Sequence, residues 1–256
     1  MCLILFSYQL HSEYPLILAS NRDEFFDRPT ASAALWEDAP EILAGRDLKE
    51  CGTWLGLTKS GRIATLTNYR DPFSIKDDAP SRGELVSNFL LSHEEPTEYV
   101  QRLEQRAEEY NGFNLIFGYV SDLYYFSNRG GIVQRLVPGL YGLSNHLLDT
   151  PWTKVESGKK KLADLVSENK SFSPGDIFHI LADRSSPDDV LLPDTGVGLT
   201  WERILSPIFV ESPVYGTRFS TVVLVDRHHK VTFMERVFHS GTDRFNERKF
   251  EFKLDQ

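Results

Sequence analysis

Cysteine is nearly absent from the 256 residues: Cys2 and Cys51 are the only two. So few exclude a disulfide framework. The seven histidines are scattered. Their one adjacent pair, His228-His229, points apart in a strand or turn, and no Cys or His spacing resembles a zinc site. No metal is expected. No apolar run approaches the roughly 18 residues a membrane span needs. The apolar N-terminus has no basic region before it and no small-residue cleavage site after it, so it reads as a strand rather than a secretory signal. Bases are outnumbered, with 28 Lys and Arg against 37 Asp and Glu, for a formal net charge of −9. That balance disfavours nucleic acid or an anionic membrane as the main partner. Internal repeats, low-complexity segments and linkers are also lacking, so residues 1–256 are expected to form a single cytoplasmic, reduced domain.

What is present gathers at the beginning. Met1 to Tyr8 and Pro15 to Ser20 read as two apolar strands joined by a polar turn, and Asn21-Arg22-Asp23-Glu24 leaves the second. Antiparallel pairing would return that cluster to the start of the first strand, beside Cys2. Further on, Trp54 to Thr58 and Arg62 to Asn68 have the form of a β-hairpin. Ser81 to Leu90 is expected to be a helix with Ser81 as N-cap, and 97–110 a second helix. Leucine- and aromatic-rich strands follow at 114–119, 123–127, 132–136 and 139–145, then helices at 152–165 and 174–182. Closing strands are expected at 208–210, 219–225 and 231–237. Residues 30–45 and 183–200 read as loops. Strands come in hairpins rather than alternating with helices, which disfavours an all-parallel sheet. The order predicts an α+β fold, two packed antiparallel sheets with a helix pair on each outer face.

Removal of Met1 would give Cys2 both a thiol and a free α-amine. The reference pKa values, about 8.5 and about 7.7–8.0, let the amine take the thiol's proton near neutrality. The competing reading is a small apolar residue tucked into a strand. The charged cluster is flanked by Phe25-Phe26 and so is drawn toward burial, where charges need partners. Asp23 could hold an α-amine, or the cluster could be a structural ion-pair hub. Asn68 and Asn145 follow apolar runs and could donate to an oxyanion or simply form turns. Arg218 opens a late apolar strand as an interior cation or a rim charge. Cys51 has nothing nearby to activate it.

The ordered series Met1-Cys2, Ala19 to Glu24, Asp27 to Thr30, Gly52 to Gly56, Thr67 to Arg70, Gly142 to Asn145, Pro151-Trp152-Lys154-Val155 and Tyr215 to Arg218 resembles the NRDE family, also called the transport and Golgi organisation protein 2 family. The likeness runs nearly end to end. One departure is Cys51, where that family usually has Gly. More distantly, the chain resembles cysteine N-terminal nucleophile hydrolases of the penicillin V acylase and bile-salt hydrolase type. That likeness implies a four-layer αββα sandwich and a hydrolase of a small acyl-amide. It makes Cys2 nucleophile and base, Asp23 the partner of the α-amine, Asn145 with Asn68 the oxyanion hole, and Arg218 the support of the thiolate. Asn21, Arg22, Glu24 and Arg70 join Asn68 as candidate substrate-binding residues. The acylases carry an Arg three residues before the Asp, where this chain has Ser20. Arg22 is the nearest substitute, expected on the other face of the strand. The family's association with haem trafficking and acyl-CoA metabolism implies an alternative: a non-catalytic carrier of haem or acyl-CoA. Haem would then be cargo, with no cofactor required for function.

Overall fold

The two apolar runs that open the chain form the middle of a sheet. The structure, a computed structural model, describes residues 2–131, 133–167, 171–239 and 244–255. In chain order the strands are β1 (Cys2–Tyr8), β2 (Leu16–Phe25), β3 (Thr30–Leu35), β4 (Ile42–Asp47), β5 (Leu55–Thr58), β6 (Arg62–Asn68), β7 (Phe113–Tyr119), β8 (Asp122–Ser127), β9 (Gln134–Arg135), β10 (Gly139–Leu143), β11 (Tyr215–Val225), β12 (Lys230–Phe238) and β13 (Phe245–Lys253). The α-helices are α1 (Gly83–Leu91), α2 (Pro96–Glu104), α3 (Thr153–Ser167), α4 (Pro174–Leu181) and α5 (Leu199–Leu205). Among the described residues, the pairings of β1, β2, β10, β11 and β12 in the first sheet and of β3 to β9 in the second are antiparallel.

Two compact units result, Met1–Asp27 with Val137–Ser144 and Leu148–Glu251, and Arg28–Leu136 with Asn145–Leu147 and Phe252–Gln256. The first holds a six-stranded sheet in the order β10-β1-β2-β11-β12-β13. One face of it is apolar through Leu3, Leu5, Ile17, Ala19, Val222 and Leu224. Val155 and Leu162 of α3 and Ile177 and Phe178 of α4 pack on that face. β1 and β2 are buried along nearly their whole length, which is why they read as continuous apolar runs rather than alternating ones. The second unit holds a seven-stranded sheet, β3 to β9 in sequence order. There α1 and α2 supply Leu85, Phe89, Tyr99 and Leu103 against Ile42, Ala64, Leu115 and Phe117. The fold is thus α+β, and each unit is one sheet with its own helices, as the αββα order requires. Among the described residues no helix is long and apolar enough to cross a membrane.

Some elements differ from expectation. Residues 30–47 are not a loop but the hairpin β3-β4. The 183–200 stretch is irregular, with one 3-10 turn at Asp189–Leu191, until Leu199, where α5 begins. Residues 208–210 form no strand, and β13 is an additional one. The N-cap of α1 is Arg82 rather than Ser81, although the Ser81 hydroxyl accepts the Gly83 N–H at 3.3 Å. Of the strand expected at 132–136, only Gln134–Arg135 pairs, and Ile132 lies outside the described residues.

Candidate functional site

Register decides which side chains of the N-terminal cluster meet. Along β1 and β2, Cys2 stands opposite Arg22, Leu3 opposite Asn21 and Ile4 opposite Ser20. Cross-strand partners share a face, and residues alternate along each strand. Leu3 belongs to the helix-covered core, so Asn21 shares that face, while Cys2, Ser20 and Arg22 share the other. Arg22 is therefore not on the opposite face from the Ser20 position, as the sequence reading has it: residues two apart on a regular strand point the same way.

Asn21 is fully buried, and its Nδ2 donates to the carbonyls of Leu181 and Ile208, each at 2.9 Å. Its Oδ1 accepts from the Ser220 hydroxyl at 2.6 Å. These bonds tie the end of α4 and the 208 segment to the sheet, so the geometry gives Asn21 a scaffold's work. Asp23, two residues on, is also buried. Its Oδ1 accepts from the Thr217 hydroxyl at 2.7 Å, and its carbonyl accepts from the Tyr215 hydroxyl at 2.8 Å. Glu24 is half-buried, accepts the Phe25 N–H at 3.0 Å and lies 3.6 Å from the Arg22 guanidinium.

Arg218 occupies a register shift of β11 between Thr217 and Phe219. From there it donates to the Phe25 carbonyl at 3.1 Å. Its guanidinium and that of Arg22 each lie 5.8 Å from the centre of the Phe219 ring, so both cations approach one aromatic ring.

Burial pushes the Cys2 thiol above its ordinary value, and the Asp23 carboxylate adds to the effect. Arg22 and a hydrogen bond from the Asp23 N–H oppose it. Burial likewise raises the Asp23 carboxyl, against the lowering pull of Lys154, Thr217 and Arg22. Burial, with the nearby Asp23, Cys2 and Glu24, holds Tyr215 well above the usual phenol range, so it stays a donor. A thiol so raised is a weak nucleophile unaided; it needs a base within reach. The Ser144 hydroxyl, at the end of β10, donates to the Cys2 carbonyl at 3.2 Å and helps fix the strand end.

The remaining predicted residues belong to the second unit. Asn145 is fully buried, and its Nδ2 donates to the Asn68 carbonyl at 2.8 Å, while its own carbonyl accepts the Arg70 N–H at 2.7 Å. Asn114 braces the same turn, donating to the His146 carbonyl at 2.9 Å and the Thr67 hydroxyl at 3.1 Å and accepting from the Tyr125 hydroxyl at 2.8 Å. Asn68, Arg70 and Asn145 are thus brought together. Sequence reasoning assigned no role to Thr217, Tyr215 and Lys154, though all three lie inside motifs it singled out.

The family model described as Transport and Golgi organisation 2 matches residues 1–240. The Transport and Golgi organization 2 homolog of Mus musculus is 37% identical, covering 99% of both chains. The Homo sapiens homolog is also 37% identical over 99% of both chains. Among solved structures, the Caenorhabditis elegans N-acylethanolamine-hydrolyzing acid amidase ortholog superposes with a TM-score of 0.50 at 12% identity, covering 87% of this chain and 92% of its own. At that identity the likeness establishes the fold and leaves the chemistry to the residues.

Proposed function

From the chain's membership of the Transport and Golgi organisation 2 family and the fold it shares with an acid amidase, we propose that it is a Cys2-dependent hydrolase of the C–N bond of a small acyl-amide. The observation that carries the reading is the placement of Cys2 at a strand end, opposite Arg22 and hydrogen-bonded by the Asp23 N–H. The Asp23 carboxyl is itself fixed by Thr217.

Removal of Met1 supplies the base that the raised thiol needs. The α-amine of Cys2 takes the thiol proton, and the sulfur attacks the amide carbon to form a C–S bond. The ammonium returns that proton to the departing amine as the C–N bond breaks, leaving a thioester. Water, deprotonated by the same amine, adds to the thioester; the C–S bond breaks and the thiol is restored with release of a carboxylic acid. Asp23 is the anionic partner of the α-ammonium. A cytoplasmic location, where thiols stay reduced, suits this chemistry. Ser20 in place of the acylase Arg would favour a non-catalytic carrier of haem or acyl-CoA. Arg22, on the same face, offsets that loss.

Intact mass of the cytoplasmically expressed protein, before and after brief alkylation and peptide mapping, tests the reading. The expected result is a chain lacking Met1, with rapid pH-dependent labelling at Cys2, and amide turnover that Cys2→Ala abolishes. Retained Met1 leaves no free amine on Cys2 and overturns it, and saturable haem or acyl-CoA binding by such a protein would install the carrier in its place.

A further inference from the structure

Of the Tyr215-Gly216-Thr217-Arg218 stretch that opens β11, the sequence pointed only to Arg218. The other three residues gather around Asp23. Thr217 stands opposite Asp23 in the β2–β11 ladder, just before the register shift that Arg218 occupies. Cross-strand partners share a face, and both side chains are buried, so their polar atoms must find partners within the protein. Gly216 shows how the Thr217 hydroxyl is aimed. A Cβ there would lie 2.7 Å from the Val210 carbonyl oxygen and 3.0 Å from the Phe26 ring. Glycine thus lets the 208–211 segment lie close against β11, where Glu211 bridges to Gly216. The Thr217 N–H donates to the Val210 carbonyl at 2.9 Å, and the Val210 N–H donates to the Thr217 hydroxyl oxygen at 2.9 Å. With its oxygen accepting from Val210, the hydroxyl gives its single proton to Asp23 Oδ1 at 2.7 Å. Tyr215 fixes the backbone of the same residue, donating to the Asp23 carbonyl at 2.8 Å.

We infer that Thr217 is a positioning residue of the Cys2 site: gripped by the Val210 N–H, its hydroxyl sets the orientation of the Asp23 carboxyl and holds it as a hydrogen-bond acceptor, the form that receives the α-ammonium of Cys2. The catalytic consequence rests on the reading of Cys2 as nucleophile, whereas the hold of Thr217 on Asp23 does not. A donor hydrogen bond favours the charged form of the carboxyl that accepts it. The charged and titratable groups around Asp23 are Cys2 from β1, Arg22 and Glu24 on its own strand, Tyr215 and Arg218 from β11, and Lys154 from α3. A substitution at Thr217 leaves all of these in place. Valine has the shape of threonine without the hydroxyl, and serine has the hydroxyl without the methyl. The two substitutions therefore separate hydrogen bonding from packing.

The test is a titration of the Asp23 carboxyl carbon by NMR in the protein as expressed, with the signal assigned by its absence in Asp23→Asn. In wild type the carboxyl is expected to be ionised at pH 7. Thr217→Val should raise its midpoint by about 1–2 pH units, the effect of losing a hydrogen bond to a charged group, and Thr217→Ser should restore it. A threonine that only packs would give the reverse order, with the Val variant silent and the Ser variant disturbed. That order overturns the assignment, as does an Asp23 already protonated at pH 7 in wild type. Should Thr217→Val fail to fold, Thr217→Cys takes its place, because a thiol is a weak donor: a raised midpoint supports the assignment and an unmoved one overturns it. Alkylation of Cys2 carries the effect to the site. Thr217→Val should slow it and Thr217→Ser should restore the rate. In an Asp23→Ala background Thr217→Val should slow it no further, because one residue acts through the other, and an undiminished loss there overturns the assignment. A Cys2 unreactive in wild type beside a Thr217-dependent Asp23 would sink the hydrolase and spare this inference. A reactive Cys2 with a Thr217-independent Asp23 would do the reverse.

Discussion

Cys51 sits in the left-handed region, with φ of 62°, in the turn closed by its N–H to the Asp47 carbonyl at 2.8 Å. A side chain with a Cβ is strained there and glycine is not. That gives a physical reason for the family's Gly at this position and for reading Cys51 as incidental. Cys51→Gly should raise stability by about 1 kcal/mol, seen as a higher urea midpoint, and leave Cys2 labelling unchanged. Slowed labelling at Cys2 would show that Cys51 takes part in the site. At this scale the sequence placed Cys2 beside the Arg22-Asp23 pair, because the three lie in one local hairpin. It did not assign Thr217 to Asp23, since that residue arrives from position 217 and only the packed sheet brings it there.

Arg62 shows what a single element owes to one side chain. Its guanidinium donates to the Phe89 carbonyl at 3.0 and 3.2 Å, to the Glu94 carbonyl at 2.9 Å and to the Ser92 hydroxyl at 3.1 Å, and lies 4.0 Å from the Phe89 ring centre. Near the end of α1 the Phe89 carbonyl also accepts from the Ser92 hydroxyl at 3.1 Å, so Arg62 and Ser92 together serve a helix end that has no intrahelical donors left. Arg62→Met should cost about 2–4 kcal/mol, since buried acceptors lose charge-assisted donors. Arg62→Lys should fall between, because a point charge cannot fork to two carbonyls. Denaturant unfolding measures both, and a loss below the expected range in the Met variant would mean that α1 ends without Arg62.

Elements were legible where pattern and burial agreed, as in β5-β6, β7-β8, α3 and α4. The hairpin β3-β4 was not, because Thr30-Ala31-Ser32-Ala33-Ala34 offers little of the bulky side chain that marks a strand. The seven residues of α5 are too few to show a period. β13 is mostly exposed, as suits a sheet edge, and only Phe250 and Phe252 alternate toward partial burial, too short a pattern to read as a strand. Ile208-Phe209-Val210 reads as a strand but has its backbone taken otherwise. The Asn21 side-chain amide donates to the Ile208 carbonyl at 2.9 Å, and the Thr217 hydroxyl accepts the Val210 N–H at 2.9 Å.

For the whole molecule, the titrating groups shape stability against pH. Asp47 is half-buried; burial would raise its carboxyl, but the Arg28 hydrogen bond at 2.7 Å and the N–H groups of Lys49 and Glu50 bring it below the usual range. Hydrogen bonds from Arg203 lower Asp189, and those from Arg46 lower Asp38. A carboxyl lowered in the folded state stabilises it above the unfolded value of about 4, and that gain is lost as pH falls through the folded value. Asp23, raised by burial, works in the opposite sense: its contribution favours the fold as pH falls. The partly buried Cys2 thiol and the buried hydroxyls of Tyr99 and Tyr215 are raised too. Their unfolded counterparts ionise first, near about 8.5 and about 10, so stability is lost as pH rises through those values. A plateau between roughly pH 5 and 8 follows. Asp47 and Asp189 should differ along the acid limb. The Asp189–Arg203 pair is half-exposed on both sides, where salt and water leave an ion pair little net worth. Asp189→Asn should therefore track wild type at every pH. Asp47→Asn should be less stable than wild type at pH 7, and the difference should close as pH falls below about 4, where wild type loses the same charge. Urea midpoints of the three proteins from pH 2 to 8 measure this. Parallel wild-type and Asp47→Asn curves down to pH 2 would mean that Asp47 acts through its hydrogen-bond geometry alone and that its charge adds nothing to the fold.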